Sequence, residues 1–188
     1  MEAESLRLLI SNCISLLSLA LLCYSNLKRN RESFLLTSSI GLLLNIVIYI
    51  VDGLWISVFS NLASIARNLY NAKAKKPKVF VNILILIAAS GICVAQIYIN
   101  NSFTWYDILP LISLIFYSVM IMVTKTEKGI MAANCVDAVL WMAYDIENTL
   151  VLLVVIDMFN VLIEFTHKTL SILDKHYVFV KREKSYEK

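Results

Sequence analysis

Long apolar runs of about 20 residues recur along this chain, and they constrain its fold more than any other feature. FLLTSSIGLLLNIVIYIV (34–51) and VFVNILILIAASGICVAQIYI (79–99) are two of them. A run of this length matches the ~30 Å hydrocarbon core of a bilayer when coiled as an α-helix. A membrane β-barrel would instead show alternating segments of about ten residues, and none is present. Hydrophobic residues make up 59% of the chain and charged residues 16%. The charges cluster between the runs rather than within them, so the expected fold class is an all-α polytopic membrane protein forming a single domain.

Seven spans are expected: about Leu6–Leu27, Phe34–Val51, Leu54–Asn71, Val79–Ile99, Trp105–Thr124, Gly129–Tyr144 and Thr149–His167. The flank MEAESLR is acidic, unlike the basic start of a signal peptide, so the first run reads as a real span. Basic residues give the orientation. Alternate connections carry Lys28, Arg29 and Arg31, then Lys73, Lys75, Lys76 and Lys78, then Lys125 and Lys128. With six more in the tail from Lys168 to Lys188, fifteen of the seventeen basic residues fall on one side. Glu2, Glu4, Asp52, Asp107, Asp145 and Glu147 fall on the other. Lysine and arginine mark the cytoplasmic side, so the N-terminus is expected outside and the C-terminus in the cytoplasm. The net charge of +3 therefore reports topology, and no nucleic-acid partner is expected. The tail 169–188 is either an interfacial amphipathic helix or a partly ordered cytoplasmic segment.

Seven spans suggest two three-helix units, 6–72 and 105–168, joined by a linker helix at 79–99. The sequence contains traces of such a repeat. Asn61, Ser64, Asn68 and Asn71 are spaced 3, 4 and 3 apart, and so are Asp157, Asn160, Glu164 and His167, 96 positions later. Asn45 and Tyr49 also match Asp137 and Trp141 at an offset of 92, and Asp52 matches Asp145 at 93. An unpaired fourth span would leave both units starting outside. That makes them parallel repeats about an axis along the membrane normal, with a site expected near the midplane between them.

The third span is unusually polar. Ser57, Asn61, Ser64 and Asn68 form one stripe at i, i+4, i+7 and i+11, widened by Ser60, Arg67 and Asn71. Val58, Leu62, Ile65 and Leu69 form the other face. Polar groups in lipid are costly without partners or water, so the seam faces the bundle interior. Two roles compete for it: helix-packing glue, at roughly 0.6 kcal/mol per contact, and the lining of a water-accessible path. Ser11, Ser15 and Ser18 of the first span fit packing. Asp137 and Asp157 lie well inside spans six and seven, where a charge costs about 2.5–3.5 kcal/mol on insertion scales; such residues are paired, protonated or functional. Arg67 and Glu164 are expected to snorkel toward the cytoplasmic interface or to pair as a gate. Asp52, Asp145 and Glu147 are expected to be solvated in outer turns. Trp55 and Trp105 fit interfacial belts, whereas Trp141 is deep enough to pack in the core or stack on a flat solute. Pro110 is expected to bend span five.

Cys13, Cys23, Cys93 and Cys135 show no metal-ligand spacing and read as small buried hydrophobes. His167 and His176 show none either. There is no HExxH, GxSxG or phosphate-loop motif, so no metal, no cofactor and no enzymatic activity are expected.

The run from Trp55 through SNLASIARNLYNAKAKK resembles the WxxxxxNxxSxxRN region of bacterial inner-membrane proteins of the YgjV type, here Trp55, Asn61, Ser64, Arg67 and Asn68. This resemblance implies a multi-pass protein of the bacterial inner membrane. The architecture is more remotely similar to the PnuC vitamin-precursor transporters and the SWEET carriers. The proline–glutamine signature of PQ-loop relatives is absent, since Leu111 follows Pro110.

The expected function is transport of a small polar solute, uncharged or cationic. Asn45, Asn61, Ser64, Asn68, Asp137, Trp141, Asp157 and Asn160 would contact it. The lipid bilayer is the other expected partner, and monomer and homo-oligomer remain alternatives. A competing reading is a membrane interaction or regulatory subunit whose seam is glue. A third is an intramembrane enzyme using Asp137, Asp157 and Glu164 as acid and base, though no nucleophile accompanies them.

Overall fold

A computed structural model describes residues 2–26, 31–74, 77–100, 104–124, 127–163 and 165–166. The tail 169–188, His167 and Glu164 lie outside the described residues. Among the described residues there are seven α-helices and no strand: α1 Glu2–Asn26, α2 Arg31–Val51, α3 Trp55–Lys73, α4 Val79–Asn100, α5 Leu109–Val123, α6 Glu127–Glu147 and α7 Val151–Ile163. Among the described residues, three stretches are long and apolar enough to cross a membrane: Glu32–Val51, Val79–Ile99 and Trp105–Val123. Shorter apolar helices cover Ser11–Ser25 and Val151–Ile163. The third and sixth helices owe their lower hydropathy to the polar residues singled out above.

Two hairpin turns organise the chain. At the end of α2, Gly53 takes a left-handed conformation (φ 74°), which only glycine adopts without strain. The Leu54 N–H donates to the Tyr49 carbonyl (2.8 Å) and the Gly53 N–H to that of Ile50 (3.2 Å), closing the carbonyls that a helix C-terminus leaves open. The turn between α6 and α7 repeats this pattern bond for bond. There the Leu150 N–H donates to Asp145 (2.9 Å) and the Thr149 N–H to Ile146 (3.1 Å). Thr149 takes Gly53's place with φ 58°. Every equivalent pair is 96 positions apart, the offset that already relates Asn61 to Asp157. The turns do not share the offset of 92–93 read between α2 and α6, which differs by one helical turn: in the turn hydrogen bonds Tyr49, not Asp52, stands where Asp145 stands.

α2 lies between α1 and α3, and α5 packs on α6. α3 also contacts α4 and α5, which explains why a polar helix carries ten buried residues. The largest apolar cluster draws Ile46, Ile48 and Tyr49 from α2, Val58 and Ile65 from α3, Tyr144 from α6, and Leu153 and Ile156 from α7. α4 is peripheral, with Phe80, Ile87, Val94, Tyr98 and Ile99 on its exposed side.

Local chemistry at the helix starts alters two expectations. Thr104 and Asp107 form a capping box: the Thr104 N–H (2.8 Å) and hydroxyl (2.6 Å) both donate to an Asp107 carboxylate oxygen. Pro110 then sits in the first turn of α5, where no intrahelical N–H is needed, so it starts the helix rather than bending it. Of the cysteines, only Cys93 is buried; Cys13 is exposed, Cys23 and Cys135 are half-buried, and all four are free thiols.

Candidate functional site

The polar seam of α3 divides into two stripes with different fates. One faces α4 and α5 and is fully engaged. Asn71 and Asn82 exchange side-chain hydrogen bonds (2.8 and 3.3 Å), and Ser60 lies 3.8 Å from the Cys93 sulfur. Arg67 is on this side too, only 3% exposed. Its guanidinium donates to the Ser118 hydroxyl (2.9 Å) and to Asn68 Oδ1 (3.3 Å), and it lies 4.6 Å over the Tyr117 ring. Arg67 is therefore buried against α5 and does not snorkel. Its expected partner Glu164 lies outside the described residues.

The other stripe opens onto an internal cavity of about 70 Å³. Asn45, Asn61, Ser64, Asn68, Asp137, Trp141, Asp157 and Asn160 all line it, so the structure brings together every residue expected to contact a solute. Arg67 borders it as well. Several of these groups are partly committed. Asn45 Oδ1 accepts from the Ser18 hydroxyl of α1 (2.6 Å), which also donates to the Gly41 carbonyl (3.2 Å). Asn61 Nδ2 donates to the Ser57 carbonyl one turn back (2.8 Å). Asp137 accepts a hydrogen bond from the Ser113 hydroxyl of α5.

The cavity extends from Leu22, Ser25, Phe34 and Ser38, near the α1–α2 connection, toward the two hairpin turns. At that end it stops against aromatic rings. Tyr49 lies 5.6 Å from Trp141 and 6.4 Å from Tyr144, and Trp141 and Tyr144 meet edge to face at 5.9 Å. Tyr106 extends the layer, 6.2 Å from Tyr144. The Tyr49 hydroxyl donates to Asp145 (3.1 Å), which is 1% exposed. Asp145 is thus a buried member of the cavity wall, not a solvated turn residue, and it contacts the residue that corresponds to it 96 positions earlier. Beyond the layer, Tyr144, Tyr106, Asp107, Gln96 and Asn148 line a second cavity of about 200 Å³. The neighbours Tyr144 and Asp145 therefore face opposite sides of one ring layer.

Sequence reasoning missed Asp145, Asn134, Tyr49 and Tyr117 as lining residues. A signal existed for two of them: Asn134, Asp137, Trp141 and Asp145 are spaced 3, 4 and 4 apart, one face of α6. Tyr117 carried none, being one aromatic among the apolar residues of α5. Among the described residues, no group of three or more His, Cys, Asp or Glu side chains is placed to hold a metal ion.

The family model described as Imp-YgjV, bacterial inner membrane protein, matches residues 9–167. No curated protein and no solved structure matches the chain. All seven helices and the whole lining of the central cavity fall within or overlap the matched region. The chain belongs to the Imp-YgjV family of bacterial inner membrane proteins.

Proposed function

We propose that this protein moves a small polar organic solute across the bacterial inner membrane, through the cavity between two parallel three-helix units. The observation that carries this reading is the separation of the seam. Groups needed for packing are paired with α4 and α5, whereas Asn61, Ser64 and Asn68 of α3 and Asp157 and Asn160 of α7 surround a common space. Glue alone does not call for a cavity at which the amides and carboxylates of α2, α3, α6 and α7 converge, because apolar side chains would fill it at less cost.

The equivalence of the two hairpins supports a three-plus-one-plus-three arrangement of seven spans, with α4 as the linker. The contact between Tyr49 and Asp145, 96 positions apart, supports a pseudo-axis passing near the ring layer. The basic connections support a cytoplasmic position for the opposite end of the cavity. At about 70 Å³ the cavity is roughly half the ~150 Å³ that admits a benzene molecule. On this reading the cavity is constricted, and passage requires the two units to rock apart. The site is complete within one chain, so a monomer suffices.

A second reading has one observation in its favour. Asn45 of the cavity wall is bonded to Ser18 as packing glue would be, which suits an interaction subunit with no transport of its own. Proteoliposome swelling separates the two. The wild type should admit some small solutes of a graded panel faster than empty vesicles do, and an Asn61→Ala, Asp157→Asn double variant should not. Equal swelling by the double variant, or none above empty vesicles for any solute, would sink the transport reading.

A further inference from the structure

We infer that the solute is a small organic cation, an inference that rests on the transport reading above. Three carboxylates, Asp137, Asp145 and Asp157, border the cavity, against one cationic side chain, Arg67. Arg67 is already occupied by Ser118, Asn68 and the Tyr117 ring; among the described residues it makes no ion pair within 4 Å with any of the three, and its charge acts on Asp137 but not on Asp145 or Asp157. Asp137 and Asp145 accept bonds from neutral hydroxyls, those of Ser113 and Tyr49. A hydroxyl solvates a carboxylate but does not neutralise it. Asp157 has no hydrogen-bond or ion-pair partner among the described residues. A carboxylate withdrawn from water needs a countercharge or a proton, and a cationic solute would bring the first.

Two further features point the same way. Asn61 Nδ2 commits one of its two hydrogens to the Ser57 carbonyl (2.8 Å), so the amide offers the cavity its oxygen as an acceptor beside one remaining N–H. Its corresponding residue in the other hairpin, Asp157, is an acceptor too. At the blind end of the cavity the Tyr49 and Trp141 rings lie 5.6 Å apart, tilted by 31°. Electron-rich ring faces attract an ammonium or guanidinium group within about 6 Å. An anion would meet three carboxylates and a guanidinium already engaged. A neutral solute would find acceptors but leave their charge uncompensated.

The test uses the purified full chain in detergent and isosteric probes that differ only in charge. Choline, 3,3-dimethylbutanol and 3,3-dimethylbutyrate share a skeleton and are cationic, neutral and anionic. Agmatine and phenyltrimethylammonium, each beside an uncharged analogue of similar size, extend the range. At least one cation should raise Tm in a saturable way while its neutral and anionic counterparts do not. Asp157→Asn should weaken that cation by about thirtyfold or more, whereas the exposed-face variant Leu62→Ala should bind it as the wild type does. If a neutral or anionic probe, or a neutral sugar or nucleoside, shifts Tm and no cation does, the charge assignment falls and the transport reading stands. If nothing shifts Tm and the vesicles show no swelling, both fall.

Discussion

The α2–α3 and α6–α7 hairpins share a backbone and differ in chemistry. Both close with the same set of hydrogen bonds, and both present a residue to the central cavity seven positions past the hairpin's last turn residue. In the first hairpin that residue is Asn61; in the second it is Asp157. Ser64 corresponds to Asn160, and Tyr49 to Asp145. The first hairpin thus supplies amides, hydroxyls and a ring but no carboxylate, whereas the second supplies all three carboxylates beside the amides of Asn134 and Asn160 and the Trp141 ring. The turn itself diverges too, with Gly53 in one and Thr149 in the other, both at positive φ. The comparison teaches that backbone equivalence can outlast side-chain equivalence, because the turn geometry is fixed by closing carbonyls while the cavity wall answers to whatever occupies it.

The strongest way to break this comparison is to exchange chemistry between the hairpins. Asp157→Asn alone is expected to lower solute-dependent swelling by an order of magnitude or more, about the cost of losing one buried charge partner. Adding Asn61→Asp returns one carboxylate to the cavity from the opposite wall. Partial recovery in the double variant, measured as swelling rate, supports interchangeable walls; no recovery means that the two hairpins are not functionally equivalent. Next in size is the packing side of α3. Asn82→Leu leaves buried Asn71 without its reciprocal partner and should cost about 1–3 kcal/mol, seen as a lower Tm with binding unchanged. Loss of binding at equal stability would dissolve the division between the two stripes.

Smaller effects test the turns. Nothing lies within 4 Å of a Cβ added at Gly53, so Gly53→Thr should cost only the left-handed backbone penalty, about 1–2 kcal/mol. Thr149→Gly should recover up to about 1 kcal/mol, less because glycine is freer when unfolded. Opposite signs confirm that the two turns are one design; equal signs refute it. Smallest is Leu62→Ala on the exposed face of α3, expected within about 0.5 kcal/mol of wild type.

Much of this was legible beforehand, for physical reasons that can be named. The spacing of Asn61, Ser64 and Asn68 follows the 3.6-residue helix period, and burial of such a stripe is enforced by the cost of polar groups in lipid, so its inward direction could be read. Which polar groups pair with α4 and which stay on the cavity could not, because Asn71 and Asn68 differ only by the neighbours they meet. Asp145 was misread because its closeness to a turn suggests solvent, whereas its position eight residues after Asp137 puts it on the cavity face. Arg67 was misread for a related reason: nothing in the sequence announces that Ser118 and Tyr117 await its guanidinium. The hairpin turns share the 96-residue offset read between α3 and α7 and not the 92–93 read between α2 and α6, since isolated polar–aromatic pairs recur by chance at helical spacing.

The ring layer has an electrical consequence. Space opens on one side of Tyr49 and Tyr144 toward the basic connections, and on the other toward the hairpin turns. Water in both would be conductive, so a transmembrane voltage would fall almost entirely across a few ångströms of aromatic carbon. One elementary charge crossing 100 mV is worth about 2.3 kcal/mol, roughly a fiftyfold concentration ratio at equilibrium. A cation passing Tyr49 would collect nearly all of that in a single step. The direction and steepness of its flux would then be set by the membrane potential at this layer, rather than by any of the residues that bind it.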